Sequence, residues 1–284
     1  MLRRFGIHLP HTGHASGPDS VTRVAQHAEA LGFDDLWVSD HVVVPAAQGY
    51  PKPYIYDPLL TLAWAASCTS SIGLGTTVLV VPQYQPVQLA NSLASLDALS
   101  RGRLTLGAGV GWSAGEYAAL GQDFENRGRR MDEILGLLRA CWTDDPVAFE
   151  GEFYRLDAVR LLPKPAHDIP IWIGGVSPAA IRRACSLGDG YHTIGLSVEE
   201  APAIVERVRR ERPEDSFTIS LRTGWDALGM EADLIRTERD AFEAAGIQHV
   251  VAVPWRSDLD SYLRAVEDLA RILELDPRGS DASP

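Results

Sequence analysis

A carboxylate and an imidazole stand side by side at Asp40-His41, directly after the apolar run Leu36-Trp37-Val38-Ser39. Such a pair can hold, give or take a proton, or it can be a satisfied structural pair. A second chemical feature is Gly174-Gly175-Val176-Ser177-Pro178. It leaves an apolar run and enters a helix at Pro178, so free N–H groups and the Ser177 hydroxyl could hold an anion. Bare glycines would let a phosphate reach the backbone. The same residues would also make an ordinary tight turn with a serine cap. Gly107-Ala108-Gly109-Val110-Gly111-Trp112 matches a dinucleotide fingerprint only loosely and does not run directly into a helix. Close backbone packing beneath Trp112 competes there with contact to a cofactor. His8, His11 and His14 recur every three residues, but Pro10, Gly13 and Gly17 mark a loop and no carboxylate lies among them. That argues against a metal set. Cys68, Cys141 and Cys185 are far apart and fall in predicted helices, a pattern of reduced, buried thiols.

Elements must hold these groups. The chain alternates two periodicities. Residues 5–9 read as a strand; after a cap at Asp19 or Ser20, Val21, Val24, Ala25, Ala28 and Leu31 follow at helical spacing. Gly32 closes that helix. Strand-like runs at 33–38, 72–81 and 103–108 then alternate with helical ones at 58–69, 87–99 and 128–142. Asp57 and Pro58 provide the cap and first turn of the second helix. The scheme repeats with strands at 169–173, 190–194, 217–221 and 249–253, and helices at 178–187, 198–210, 232–245 and 259–273. Residues 147–162 interrupt the alternation and read as a small hairpin inserted before strand five. The pattern predicts an α/β protein, a single (β/α)8 TIM barrel over residues 1–275, in preference to an open doubly wound sheet. Residues 276–284 are polar and predict a disordered tail.

A barrel of this kind carries reactive groups just past its strand C-termini. That rule gathers His8, Asp40, His41, Thr76, Thr77, residues 107–112, residues 174–177, His192, Arg222, Trp225 and Trp255. The ring suits a large, flat ligand with a polar tail. His8, Trp112, His192 and Trp255 are placed on the substrate side.

Composition narrows the partners. Of 284 residues, 45% are hydrophobic and 23% charged, which allows a large core in a soluble enzyme. The net charge of −12 argues against nucleic acid, which needs clustered Lys and Arg. No apolar run approaches the ~18 residues of a membrane span, and the first residues do not read as a signal peptide. A cytoplasmic protein acting on a small molecule is expected.

Together these stretches resemble the luciferase-like monooxygenase superfamily, specifically its branch using coenzyme F420, a deazaflavin. The resemblance rests on Leu36-Trp37-Val38-Ser39-Asp40-His41, Leu74-Gly75-Thr76-Thr77-Val78, Leu93-Ala94-Ser95-Leu96-Asp97-Ala98-Leu99-Ser100-Arg101-Gly102-Arg103, residues 106–112, Pro170-Ile171-Trp172-Ile173-Gly174-Gly175 and Gly188-Asp189-Gly190-Tyr191. It covers residues 5–195. It implies a barrel with the cofactor at its open end and Asp40 and His41 near the ring. Thr76, Thr77 and Val78 would carry a bulge behind the ring, with a cis peptide at Thr77-Val78. Gly109, Val110 and Gly111 would line the polyol chain, and Gly174, Gly175, Val176 and Ser177 would hold the phosphate. His41 would donate or orient a proton, with Asp40 fixing its tautomer. Trp112 stands where some deazaflavin dehydrogenases have an acid, which implies a more apolar substrate than a sugar phosphate. The activity implied is hydride transfer between F420 and a small organic substrate. The alternatives are an FMNH2- and oxygen-dependent monooxygenase on the same barrel, and a flavin-binding protein without turnover. Homodimerisation is implied by the family.

Overall fold

Apolar β-rich runs separated by amphipathic helices can bury both faces of a parallel sheet only by closing it or by covering both of its sides. In a computed structural model, which describes residues 4–52 and 54–277, the sheet closes. The elements run β1 (Arg4–His8), α1 (Pro18–Ala30), β2 (Asp35–Val38), α2 (Pro58–Ser67), β3 (Gly73–Thr76), β4 (Leu79–Val80), α3 (Pro86–Ser100), β5 (Leu104–Gly109), α4 (Ala114–Ala119) and α5 (Arg127–Thr143). They continue with β6 (Val147–Glu150), β7 (Arg155–Val159), β8 (Ile171–Gly174), α6 (Pro178–Leu187), β9 (Gly190–Ile194), α7 (Ala201–Glu211), β10 (Thr218–Thr223), α8 (Ala232–Ala245), β11 (His249–Ala252) and α9 (Leu259–Ile272). Parallel pairing runs β1, β2, β3, β5, β8, β9, β10, β11 and back to β1, where Arg4 pairs with His249 and Ile7 with Ala252. This is the (β/α)8 TIM barrel expected from the alternation.

The differences from expectation are local. The run at 72–81 is broken: β3 ends at Thr76, the Thr77-Val78 peptide is cis, and β4 resumes the same stave against β5. α1 starts at Pro18, one or two residues before the expected cap, because a proline in the first turn needs no N–H partner. α4 was not anticipated. β6 and β7 form the antiparallel hairpin before β8. Most of the tail expected to be disordered, from residue 278 on, lies outside the described residues.

Large and absent side chains alternate inside the barrel. The buried indole of Trp37 stacks on Trp172 at 5.5 Å and on His192 at 5.2 Å between ring centroids. A Cβ on Gly6 or Gly75 would overlap Trp37, so these glycines make room for an indole in a close-packed barrel. Below that layer, buried Asp35 accepts hydrogen bonds from Trp37 Nε1 and from Arg4 Nη2 (2.6 Å), and bonds His249 Nε2 at 2.8 Å. The Asp97 to Arg103 motif belongs to this far end. Arg103 donates to the carbonyls of Ser100, Ile72 and Ala66, and Asp97 accepts from Ala166 N at 2.7 Å. Among the described residues no helix is long and apolar enough to cross a membrane.

Candidate active site

A cavity of about 640 Å³ lies at the end of the barrel where the strands finish. Its walls come from residues at or just past the C-termini of all eight staves, which is where the sequence placed the chemistry. A smaller hollow of about 340 Å³ near Arg130 and Tyr154 is lined by none of those groups.

One side of the cavity is nearly bare backbone. Val78, just after the cis peptide, projects between β5 and β8. A Cβ on Gly109 or on Gly174 would overlap its methyl groups. Gly111 and Gly175 have φ of +68° and +122°, conformations that side-chain-bearing residues rarely adopt. Gly175 opens the turn into α6, whose first residue, Pro178, has no N–H, so Ala179 carries the first main-chain N–H of the helix. The Ser177 hydroxyl is occupied as the cap of that helix, accepting from Ala180 N at 3.2 Å. Ser177 thus shapes the turn and keeps its O–H free to donate, and Val176 beside it lines the cavity. Thr76 does not line it. Its hydroxyl is buried and donates to the Gly107 carbonyl at 2.7 Å, so Thr76 holds β3 to β5. Gly107 is likewise a packing glycine, since a Cβ there would overlap the Thr76 carbonyl. The two readings of the 107–112 stretch thus divide along its length: packing at Gly107, cavity at Gly109, Val110, Gly111 and Trp112.

Asp40 and His41 both line the cavity, yet they are not partners. Although adjacent in sequence, each takes its hydrogen-bond partners from a different part of the chain. Asp40 is buried and accepts from Val80 N at 2.8 Å and from the Tyr84 hydroxyl at 3.0 Å. Burial outweighs those two donors and pushes its carboxyl up to about 7. His41 Nδ1 instead meets Glu116 Oε2 at 3.0 Å, while Glu116 Oε1 accepts from Val42 N at 2.7 Å. Burial would raise the Glu116 carboxyl, but the hydrogen bond and charge of His41 hold it below its ordinary value. Glu116 is therefore a carboxylate, it accepts from Nδ1–H, and it leaves the other ring nitrogen for a ligand. The expectation that Asp40 fixes the His41 tautomer is corrected: Glu116 does so. Sequence reading missed this residue because α4 is short. The available signal was Ser113 followed three residues later by Glu116, a capping-box spacing just past strand four. Ser113 does cap α4, accepting from Glu116 N at 3.3 Å, and the Glu116 carboxylate is turned to the 41–43 loop.

The opposite side is made of side chains. His8 Nε2 meets the Ser39 hydroxyl and His11 Nε2 the Ser39 carbonyl, each at 2.8 Å. His192 bridges the Thr77 hydroxyl and the Ser220 hydroxyl, both at 2.8 Å. Burial drives all three imidazoles down, His11 to about 4 and His192 to about 3, so they are neutral at pH 7. Trp255 and Trp112 stand half-exposed at the rim; Trp112 makes an edge contact with His41 at 5.9 Å. The four residues assigned to the substrate side, His8, Trp112, His192 and Trp255, all line the cavity. Trp225, gathered by the strand-end rule, is buried elsewhere and donates to Glu238.

This geometry agrees with comparison to known proteins. A model of the luciferase-like monooxygenase family matches residues 4–243. The chain belongs to that family. An F420-dependent glucose-6-phosphate dehydrogenase of Nakamurella multipartita is 32% identical over 241 residues, 82% of this chain and 65% of that protein. An FMNH(2)-dependent dimethylsulfone monooxygenase of Pseudomonas fluorescens is 31% identical over 208 residues, 72% of this chain and 56% of that protein. The matches thus span less than two thirds of each relative's length. The monooxygenase RslO1 of Streptomyces bottropensis shares the fold, with a TM-score of 0.78 and 22% identity over 95% of this chain and 98% of that one.

Proposed function

We propose that this family member is a coenzyme F420-dependent oxidoreductase that moves a hydride between the deazaflavin and a small organic substrate with an apolar body. The observation that carries the reading is the bare floor around Val78, where Gly109, Gly174 and Gly175 offer backbone to a flat ring and its phosphate tail. The residues present fit the cofactor: the bare backbone of Gly174 and Gly175 with the first free N–H of α6, at Ala179, would hold the phosphate, and Val78 would lie against the ring. When bound, F420 supplies the hydride donor or acceptor, and the protein supplies position and a proton. Asp40 can hold a proton at neutral pH. His41, oriented by Glu116, presents its free ring nitrogen to the cavity as acceptor or, once protonated, as donor. The relative that uses F420 supports this reading, and the relative that uses FMNH2 supports the second, a flavin monooxygenase on the same barrel. A second copy of the chain is the proposed protein partner, and light scattering checks it.

Titration of the purified protein with F420 and with FMN, followed by calorimetry, separates the two readings. F420 is expected to bind more tightly. Tighter FMN binding, with oxygen consumed when reduced FMN and substrate are supplied, would establish the monooxygenase instead.

A further inference from the structure

Arg222 is a buried cation without an anion. The residue is 8% exposed, and among the described residues no carboxylate pairs with it. Its Nη1 donates to the Thr77 carbonyl at 3.0 Å, and the guanidinium lies 5.8 Å from the centre of the Trp255 ring. A guanidinium has five N–H donors, and taking its charge out of water is costly unless the remaining donors find acceptors. Arg130, equally buried, bonds Gln122 and the Pro82 carbonyl away from the cavity, and two other arginines meet carboxylates. Arg256 is paired with Asp226 and Arg183 with Asp132. Arg222 instead faces the cavity that it lines.

The groups around it do not answer the charge. His8 and His192 are neutral, driven down by burial, and Arg222 itself contributes to lowering both. Lys52 adds a second cation to the cavity lining. Among the described residues that line the cavity Asp40 is the one carboxyl, and its oxygens are turned to Val80 and Tyr84. Trp255, beside Arg222, offers an apolar face.

We infer that this wall is a carboxylate-binding site: the substrate carries a carboxylate that pairs with Arg222 on an apolar body that lies against Trp255. This rests on the reading above that the glycine side holds the cofactor. An anionic edge of the cofactor ring presents the same chemistry, so the test separates the two sources.

Isothermal titration of 3-phenylpropanoate and of its neutral amide measures the site directly, on the protein alone and with F420 present. The wild type should bind the acid at least about tenfold tighter than the amide, as befits a charge-assisted hydrogen-bonded pair. The preference should vanish in Arg222→Met, survive in part in Arg222→Lys, and leave F420 affinity within about twofold. Circular dichroism checks that both variants are folded, and the wild-type comparison needs no variant. Failure of the wild type to bind the acid, or equal binding of acid and amide, overturns the inference. So does a preference that persists in Arg222→Met. Loss of F420 affinity in Arg222→Met with the acid preference intact assigns Arg222 to the cofactor and also overturns it. If F420 fails to bind the wild type while the acid preference and its loss in Arg222→Met stand, the cofactor reading fails and the carboxylate site is upheld.

Discussion

Between β5 and β8 the mouth of the barrel is backbone, with Gly109, Gly111, Gly174 and Gly175 leaving Val78 as the projecting side chain. Between β9 and β1 it is side chain, with His192, Arg222, Trp255 and His8 in succession. The bare side can hold a ligand by shape and main-chain N–H groups, which are indifferent to what lies opposite. The side-chain wall can be rewritten one residue at a time without disturbing that hold. A fold that serves many substrates with one type of cofactor gains from this division. At the seam stand Asp40 and the His41–Glu116 pair, placed to act on whatever lies between.

The division predicts effects that separate by side. The largest belongs to the seam. His41→Ala should lower kcat by ~10²–10⁴-fold, the range of general acid–base catalysis, with F420 affinity nearly unchanged. Glu116→Gln, which keeps the shape but loses the charge, should cost less. Near-normal turnover in His41→Ala, measured by deazaflavin absorbance, would make His41 a packing residue.

Next comes a contrast in pH dependence. His11 is depressed to about 4, so between pH 6.5 and 4 the unfolded chain binds more protons and His11 withdraws stability as pH falls. By pH 4 this amounts to roughly 3 kcal/mol relative to pH 7. Asp40, raised to about 7, runs the other way and withdraws stability as pH rises from its unfolded value toward 7. The clean measurement is therefore a difference. Urea midpoints of wild type and His11→Gln at several pH values should show the wild type's advantage shrinking by that amount toward pH 4. A constant gap would mean that His11 is not held neutral.

On the bare side, Gly175→Val should weaken F420 at least about tenfold, about 1.4 kcal/mol, because the residue at φ +122° must move and the phosphate loses its approach. Unchanged affinity with an unchanged circular dichroism spectrum would leave the turn with a structural role only. The smallest effect belongs to the rim. Trp255→Ala should raise KM several-fold, about 1 kcal/mol, with F420 affinity unaltered. If F420 affinity falls instead, the two sides are not independent.

Much of the bare side was legible in the linear chain. Glycines that must accept a positive φ or a close neighbour cannot be replaced by other residue types, so Gly109, Gly111, Gly174 and Gly175 announce a backbone surface wherever it folds. Alternating periodicities were enough for the barrel, since apolar strands and amphipathic helices in strict succession have few ways to bury their faces. The ends of elements were read closely where a local rule sets them, as at Asp57-Pro58 and Ser177-Pro178. The break in the third stave was expected from family resemblance, and nothing in its composition marks it.

What the sequence could not decide was who faces whom. His41 and Glu116 are 75 positions apart, and Arg222 and Thr77 are 145 apart. Adjacent Asp40 and His41 look like a pair in the linear chain, yet Asp40 is held by Val80 and Tyr84 and His41 by Glu116. The same barrel end that brings in Glu116 turns Thr76 inward to Gly107, removing from the cavity lining a residue that its position had nominated, and uses the Ser177 hydroxyl as a cap. Local backbone rules act over a few residues and are written in residue type. Partnership, burial and the resulting charge depend on which strand ends converge when the sheet closes, and that closure places Arg222 against the cavity with no carboxylate partner among the described residues.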